Sequence, residues 1–252
     1  MTHPKPDYGL DAPGLVRGFL LGGAAMMAGG YLLSRWGFTA QRVAFRAVPI
    51  STGMALFWTG LALFLESFLL MASSYYGKFR ARDRLLDGLR LTGHEAALDV
   101  GCGHGLLLIG AAKRLPNGRV TGVDLWSQVD QGSNSKEATL RNAALEGVAD
   151  RVEVQTGDMR KMPFADASFD VVMANLAIHN VPSREGRRQA IAEIARVLKP
   201  GGRVALMDFK CVGDYAADLR AFGLPGARVS GPIFWIFPPV RIASGEKPGA
   251  AG

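Results

Sequence analysis

The chain has 252 residues, of which 48% are hydrophobic and 20% are charged. This composition excludes a disordered chain, and the length suffices for one catalytic domain plus an additional segment. The net charge of +7 fits an anionic membrane surface, nucleic acid or an ordinary basic surface. The two cysteines, Cys102 and Cys211, are too few for a disulfide framework and do not form a metal-binding motif. We therefore expect a reduced environment and no metal site.

The first third of the chain is the most apolar part. Residues 18–34 carry no charge, and a second uncharged run at residues 47–65 continues past Glu66 to Met71. A membrane-spanning helix needs about 20 mostly apolar residues, which the second run reaches and the first nearly reaches. We expect residues 1–72 to form an apolar hairpin with helices at about 15–34 and 48–71. Residues 73–252 are expected to form the catalytic domain.

Charges and small residues refine this hairpin. Small residues on one face of the first helix would allow close helix packing: Gly18, Gly22, Ala25 and Gly29. Four basic residues follow the second run and favour contact with anionic lipid on the cytoplasmic side: Lys78, Arg80, Arg82 and Arg84. The connecting loop opposes that orientation with three further arginines: Arg35, Arg42 and Arg46. An interfacial or re-entrant first run, or a buried helix pair serving as a lid or dimer surface, are the alternatives.

Strands and helices alternate in the rest of the chain. Strands are predicted at 96–100, 119–124, 151–155, 169–175 and 203–208, with two more near 227–230 and 240–243. Helices are predicted at 78–89, 106–115, 136–145, 183–198 and 215–222, with a turn at 199–202. This pattern predicts an α/β fold with a doubly wound, mostly parallel, seven-stranded sheet. Ligands bind such sheets outside the carboxyl ends of the strands.

A glycine-rich turn follows the first predicted strand and opens a helix, with the sequence Asp99-Val100-Gly101-Cys102-Gly103-His104-Gly105. Its glycines allow a tight turn and close approach of a ligand to the backbone. Asp124 ends the next strand, where a carboxylate can accept both ribose hydroxyls. A nicotinamide-binding turn follows GxGxxG, whereas here the third glycine comes one residue early and Leu106 replaces the last small residue. An oxidoreductase is therefore disfavoured.

Further motifs follow in a fixed order: LDVGCGHG at 98–105, VD at 123–124, GD at 157–158, FDVV at 169–172 and LKPGG at 198–202. With this set the chain resembles the class I S-adenosylmethionine-dependent methyltransferases over roughly residues 85–209. It is most similar to the branch that includes quinone, sterol and other small-molecule methyltransferases. The resemblance implies the class I methyltransferase fold and S-adenosyl-L-methionine as cofactor.

The resemblance also implies residue roles. Asp99 would orient the glycine turn and approach the methionine amino group, Asp124 would hold the ribose, and Asp158 would meet the adenine amino group. Asn175 would lie near the methionine moiety. The remaining residues expected to line the cofactor are Gly101, Cys102, Gly103, Gly105, Leu125 and Met159.

Methyl transfer from a sulfonium needs alignment and a dry site, and a general base only if the acceptor must lose a proton. His179, after the fourth strand, is the candidate base, although a structural histidine fits equally well. Asp208 could face the acceptor or bond a neighbouring amide, and His104 is expected at the surface. Several aromatic residues could cover the cofactor, shape the acceptor pocket or simply pack in the core: Tyr75, Tyr76, Trp126, Phe234, Trp235 and Phe237.

The leading interpretation is a membrane-anchored methyltransferase that acts on a small-molecule or lipid-like acceptor. A protein or RNA methyltransferase is the alternative, although the sequence has neither the [DN]PPY motif nor the catalytic Pro-Cys of those enzymes. No RNA-binding element is visible, so no nucleic acid partner is expected. A non-catalytic, cofactor-binding membrane protein is the third hypothesis.

Overall fold

The computed structural model describes residues 5–35, 52–126 and 134–249. They form two compact units: Leu10–Tyr75, and a second unit that combines residues 5–9 with residues 76–249. Residues 5–9, expected to belong to the apolar segment, thus lie in the second unit. The start of the second apolar run, Arg42 and Arg46 lie outside the described residues.

The first unit consists of helices α1 (Pro13–Arg35) and α2 (Thr52–Ala72). The helices pack backbone to backbone at two pairs of glycines. A Cβ atom at Gly30 would lie 2.5 Å from the Gly53 carbonyl oxygen, and one at Gly23 would lie 2.7 Å from that of Gly60. The two pairs show that the helices are antiparallel. Only glycine permits such close approach at these positions.

The small residues that pack the helices are not those expected from the sequence. A Cβ atom at Gly18 or Gly22 would meet nothing within 4 Å, and one at Gly29 would make only an ordinary contact with Leu56. The expected face is therefore wrong, and the packing face is offset by one residue, at Gly23 and Gly30. Spacing alone could not distinguish the two faces because glycines occupy both.

Large apolar side chains cover the outside of this helix pair. By length and composition, both helices could cross a membrane. Contiguous exposed apolar surface of this extent is rare on soluble monomers. The exposed set comprises Leu15, Leu21, Tyr31, Leu32, Met54, Trp58, Leu65, Phe68 and Leu69.

The second unit contains a seven-stranded sheet. After a π-helical segment (Ser73–Gly77), whose last two residues lie in this unit, the helices are α3 (Lys78–Gly88), α4 (Leu106–Ala112), α5 (Lys136–Leu145), α6 (Arg184–Val197) and α7 (Val212–Ala221). The strands are β1 (Ala96–Val100), β2 (Arg119–Asp124), β3 (Val152–Thr156), β4 (Phe169–Asn175), β5 (Leu198–Asp208), β6 (Arg228–Val229) and β7 (Arg241–Glu246). Their order is β3-β2-β1-β4-β5-β7-β6, and only the pairs involving β7 are antiparallel. The predicted doubly wound, mostly parallel sheet is confirmed.

The sheet is buried on both faces by two apolar clusters. Leu108 and Ile109 of α4 belong to the cluster on one face, and Ile191 and Ile194 of α6 belong to the other. Ser135 caps α5, and Ser183, the cap expected from the sequence, caps α6. The Ser183 hydroxyl accepts a hydrogen bond from the Gly186 amide at the start of α6.

Strand β5 is longer than predicted. The expected turn at residues 199–202 forms an irregularity within β5, where the register with β4 shifts. The Gly201 amide donates to the Lys247 carbonyl over 2.8 Å, and the Lys247 amide donates to Gly202 over 2.9 Å. This segment is thus paired with the residues that follow β7, a distant partner that local turn signals could not reveal.

Candidate functional site

The motif residues gather at the carboxyl edge of the sheet. Strand register pairs Val100 with Val123, and Asn175 with Met207. The glycine turn, Asp124, Asn175 and Asp208 therefore occupy neighbouring positions on this edge. This is the edge where an α/β sheet of this type binds its ligands.

The glycine turn is tied to the end of β2. The Gly101 amide donates to the Val123 carbonyl over 2.8 Å, and the Gly103 amide donates to the Asp124 carboxylate over 2.9 Å. Gly101 has φ of +75°, and a Cβ atom there would lie 2.3 Å from that of Ala177. Any side chain at position 101 would thus require both a strained backbone and displacement of the segment after β4.

Asp124 has a structural role in addition to its expected one. Its Oδ1 accepts from the Trp126 amide over 2.6 Å, while its Oδ2 accepts from Gly103. An ionised carboxylate has about four acceptor positions, so capacity remains for ribose hydroxyls. Leu125, also expected to line the cofactor, is 59% exposed beside it. Binding of the ribose by Asp124 stays a prediction, with a geometry that permits it.

Several buried polar atoms at the glycine turn and the end of β4 are unsatisfied. Both carboxyl oxygens of Asp99, both ring nitrogens of His104 and Oδ1 of Asn175 make no geometrically acceptable hydrogen bond within the described part of the chain. Asp99 is 1% exposed, and burial raises its pKa to about 8. The Leu108 amide, which is close but outside good hydrogen-bonding geometry, opposes this increase, and the charge of Asp124 adds to it. Such groups are costly unless a ligand completes them. A ligand with a cationic amino group, such as S-adenosyl-L-methionine, fits Asp99.

Asp158 lies on the loop after β3, and its carboxylate already accepts hydrogen bonds. Arg160 donates to both of its carboxyl oxygens, at 3.0 Å from Nε and 2.6 Å from Nη2. These hydrogen bonds hold the pKa of Asp158 below its usual range. An adenine amino group would have to share this carboxylate with Arg160. Met159 is positioned closer to the turn, since its Cε would lie 3.6 Å from a Cβ atom at Gly101.

His179 and Asp208 form a hydrogen-bonded pair. His179 Nδ1 lies 2.9 Å from Asp208 Oδ1, and the His179 amide donates to Oδ2 over 3.3 Å. The Tyr215 hydroxyl and the Phe209 amide also donate to this buried carboxylate. Burial and the charge of Asp208 raise the pKa of Tyr215, which keeps its hydroxyl protonated as a donor. With Nδ1 held by Asp208, Nε2 is the ring nitrogen able to accept a proton.

His104 is not at the surface, which corrects the sequence-based expectation. It is 4% exposed, and its ring lies beside Gly9, 3.3 Å from where a Cβ atom of that residue would be. Asn142 joins the two segments because its Nδ2 donates to the carbonyls of both His104 and Asp7. Residues 5–9 thus cover the glycine turn. Local sequence patterns do not report this contact, because it joins segments far apart in the chain.

The aromatic residues divide into two groups. Trp126 is half-buried and donates from Nε1 to Thr156 Oγ1 over 2.8 Å, at the end of β3 where the adenine is expected. The others are exposed, which excludes core packing as their explanation: Tyr75, Tyr76, Phe234, Trp235 and Phe237. Phe209, which the sequence analysis did not select, contacts His179 with ring centroids 4.6 Å apart.

Phe209 also lines a groove. Its volume is about 460 Å³, and its lining includes Lys210, Val212 and Arg241. The Lys210 ammonium lies 5.3 Å from the centre of the Phe209 ring. The Phe209 ring therefore contacts His179 and lies next to one cationic side chain, that of Lys210.

Comparison with known proteins agrees with this geometry. Residues 98–206 match the family model described as a methyltransferase domain. The chain is 38% identical over 133 residues to the 27-O-demethylrifamycin SV methyltransferase of Amycolatopsis mediterranei, covering 53% of this chain and 45% of that protein. It is 32% identical over 130 residues to the demethylmenaquinone methyltransferase of Lactobacillus johnsonii, covering 50% of this chain and 49% of that protein.

The fold has a solved counterpart in the YcgJ protein of Bacillus subtilis, with a TM-score of 0.52, 18% identity, and coverage of 68% of this chain and 99% of that one. This likeness shows the fold. The alignments with the two relatives reach 45% and 49% of their lengths, so the chain spans about half of each. Residues 98–206 are a methyltransferase domain of the class I fold, of the type that uses S-adenosyl-L-methionine.

Proposed function

We propose that the chain transfers a methyl group from S-adenosyl-L-methionine to a small, apolar acceptor at a membrane. The observation that carries the proposal is the unsatisfied, buried carboxyl of Asp99 beside the glycine turn. A catalytic unit that had lost its ligand would be expected to replace such a costly group. The small-molecule relatives support the acceptor class, since their names specify a rifamycin precursor and demethylmenaquinone.

In this proposal, different residues at the carboxyl edge of the sheet bind different parts of the cofactor. Asp99 and Asn175 hold the methionine moiety, Asp124 holds the ribose, and Asp158 with Met159 lies at the adenine. Gly101, Cys102, Gly103, Gly105 and Leu125 line the path between them. The bound cofactor supplies an electrophilic methyl group on a sulfonium, so the protein contributes alignment and exclusion of water.

His179 is the proposed general base. Asp208 fixes the ring with Nδ1 protonated and stabilises the imidazolium that forms when Nε2 takes a proton from the acceptor. A hydroxyl or an acidic carbon acceptor would need this step. The Phe209 ring beside His179 suits an apolar or aromatic acceptor.

The α1–α2 pair is the proposed membrane anchor, with residues 1–72 as the anchoring segment and the catalytic unit on the cytoplasmic side. Support comes from the length of both helices, their exposed apolar side chains and the glycine contacts that close the pair. An anchor concentrates the enzyme where an apolar acceptor dissolves.

Two experiments test these proposals separately. Full-length protein in detergent is incubated with methyl-labelled S-adenosyl-L-methionine and quinone, isoprenoid or polyketide phenol acceptors, and transfer of label to one of them is expected. Absence of transfer to every class, together with intact binding of S-adenosyl-L-homocysteine, contradicts the catalytic proposal.

Flotation with phosphatidylcholine vesicles after an alkaline carbonate wash tests the anchor, and recovery only in the washed supernatant contradicts it.

A further inference from the structure

The four basic residues after α2 do not act as one cluster. Lys78 is 4% exposed, and its ammonium donates to the carbonyls of Tyr8 and Gly9, at 3.1 and 2.6 Å. Arg82 lies 2.9 Å from Asp83 and over the Phe79 ring. These two side chains are occupied within the catalytic unit. The exposed members of the four are Arg80 and Arg84.

Arg80 and Arg84 line a groove of about 1130 Å³ between α3 and strands β5, β6 and β7. They are four positions apart on α3, so their side chains lie on one face of the helix. Arg228 of β6 and Trp235 also line the groove. The lining also includes apolar side chains such as Val204, Val229 and Ile242. Further charged side chains line it as well: Asp83, Asp87, Arg90, Arg203 and Glu246.

The other charges in this groove are already compensated. Arg114 lies 3.3 Å from Asp83 and 3.0 Å from Asp87. Arg90 lies 3.8 Å from Glu246, and Arg203 lies 2.8 Å from Glu95. Within the described ranges, no acidic side chain pairs with the three remaining arginines, Arg80, Arg84 and Arg228. Like charges four residues apart on a helix repel each other, so an anion between them would be stabilised.

The loop that carries Trp235 exposes aromatic side chains next to this charge. Phe234 is 75% exposed and Trp235 is 45% exposed. The loop is held against the start of α3, since a Cβ atom at Gly77 would lie 1.7 Å from the Trp235 carbonyl oxygen. Aromatic rings beside guanidinium groups are typical of surfaces that bind at the headgroup level of a bilayer. A free anion could bind the guanidinium groups without the exposed aromatic side chains.

We propose that this groove binds the phosphate headgroup of an anionic phospholipid, with Arg80, Arg84 and Arg228 on the phosphate and the Phe234–Trp235 tip in the interface. The inference rests on the proposed membrane attachment and adds to it a lipid preference of the catalytic unit. Arginine suits this role because its planar, always charged guanidinium binds phosphate in a bidentate manner. A free phosphate would share this chemistry, and the experiment separates the two sources.

The test uses the full chain in a neutral detergent, with native mass spectrometry of bound short-chain phosphatidylglycerol. Phosphatidylcholine of the same chain length and inorganic phosphate are the competitors. The variants are Arg80→Gln/Arg84→Gln from α3 and, independently, Arg228→Gln from β6. The matched control is Arg119→Gln/Arg141→Gln, which removes two exposed arginines outside the groove. Binding of S-adenosyl-L-homocysteine verifies that every variant is folded.

Phosphatidylglycerol is expected to bind in preference to phosphatidylcholine, and each groove variant is expected to weaken it about tenfold. The control variant should bind like the unmodified protein. Equal binding of both lipids, or equal binding by groove and control variants, overturns the proposal. Competition by inorganic phosphate at the same concentration as the lipid would assign the groove to free anions instead. Because these lipids are soluble, the outcome is independent of the vesicle flotation that tests the anchor.

Discussion

Nδ1 of His179 lies 2.9 Å from Oδ1 of Asp208, and this pair joins the ends of two neighbouring parallel strands. Asp208 is 1% exposed and also accepts hydrogen bonds from the Tyr215 hydroxyl and the Phe209 amide. A carboxylate held in this way fixes both the orientation and the tautomer of the imidazole. This geometry suits the general-base role proposed for His179.

Replacement of His179 by Gln should reduce the rate of methyl transfer about 10²- to 10⁴-fold, because it removes the base that takes the proton from the methyl acceptor. Asp208→Asn should lower the rate in the same direction by releasing the ring. Affinity for S-adenosyl-L-homocysteine should remain within about twofold in both variants, as measured by calorimetry. His94→Gln, at an exposed position, is the control. Undiminished turnover in His179→Gln would show that His179 is not the general base.

Cofactor binding should depend on pH through Asp99. Burial raises the pKa of this carboxyl to about 8 in the free protein, so it is mostly protonated at neutral pH. A cationic amino group favours the ionised form, so binding should release a proton and strengthen as pH rises toward 8. Calorimetry in buffers of different ionisation enthalpy measures that proton. Asp99→Asn should abolish the release, and an unchanged proton count in this variant would contradict the assignment.

The same shift has a consequence for the stability of the cofactor-free protein. The folded pKa of Asp99 lies above its unfolded value of 3.8, so folding favours the protonated form. The contribution of this group is fully present below pH 4 and is lost as pH rises through about 8. Chemical denaturation should show a smaller decrease in stability over this range for Asp99→Asn than for the unmodified protein. Parallel pH profiles of the two proteins would refute a buried, protonated Asp99.

In contrast to that of Asp99, the pKa of Glu95 is lowered. Burial raises the pKa of this carboxyl, but hydrogen bonds from the Thr92 and Gly93 amides and from Arg203 outweigh burial and lower it to about 2. Its stabilisation is present above the unfolded value of 4.5 and is lost as pH falls toward 2. Glu95→Gln should therefore cost about 3 kcal/mol at neutral pH. Glu153→Gln, in an exposed ion pair with Arg119, should cost less than about 1 kcal/mol.

The glycine contacts of the helix pair can be tested with a matched substitution. Gly30→Ile places a side chain against the Gly53 backbone and should destabilise the α1–α2 pair by about 1–3 kcal/mol. Gly18→Ile adds the same side chain where nothing lies within 4 Å and should have little effect. Thermal unfolding of full-length protein in detergent compares them. Equal losses in both variants would contradict the antiparallel glycine packing.

Local patterns sufficed for much of this fold. The apolar run and motif at residues 169–175 match β4 residue for residue, and the helix predicted at 136–145 matches α5. The glycine turn and Asp124 also lie at the expected edge of the sheet. These features depend on neighbouring residues in the chain, which periodicity and turn signals report directly.

Contacts between distant segments were not accessible in this way. Burial of His104 depends on residues 5–9, and the extension of β5 depends on Lys247. The hydrogen bond from Arg160 to the Asp158 carboxylate depends on side-chain conformation, which residue spacing does not reveal. For the α1–α2 pair, the choice of Gly23 and Gly30 over Gly18 and Gly22 required the partner helix. In each case the missing information is the identity of a remote partner.

Cofactor binding at the glycine turn can be measured by calorimetric titration of the full-length protein and of Asp124→Ala, both in detergent, with S-adenosyl-L-homocysteine. We expect one site per chain, with affinity reduced at least about tenfold in Asp124→Ala because the variant loses both the ribose acceptor and the anchor of the Gly103 amide. An Asp150→Ala variant, at an exposed position outside the site, should bind normally. No binding by the unmodified protein, or equal binding by Asp124→Ala, would contradict the account.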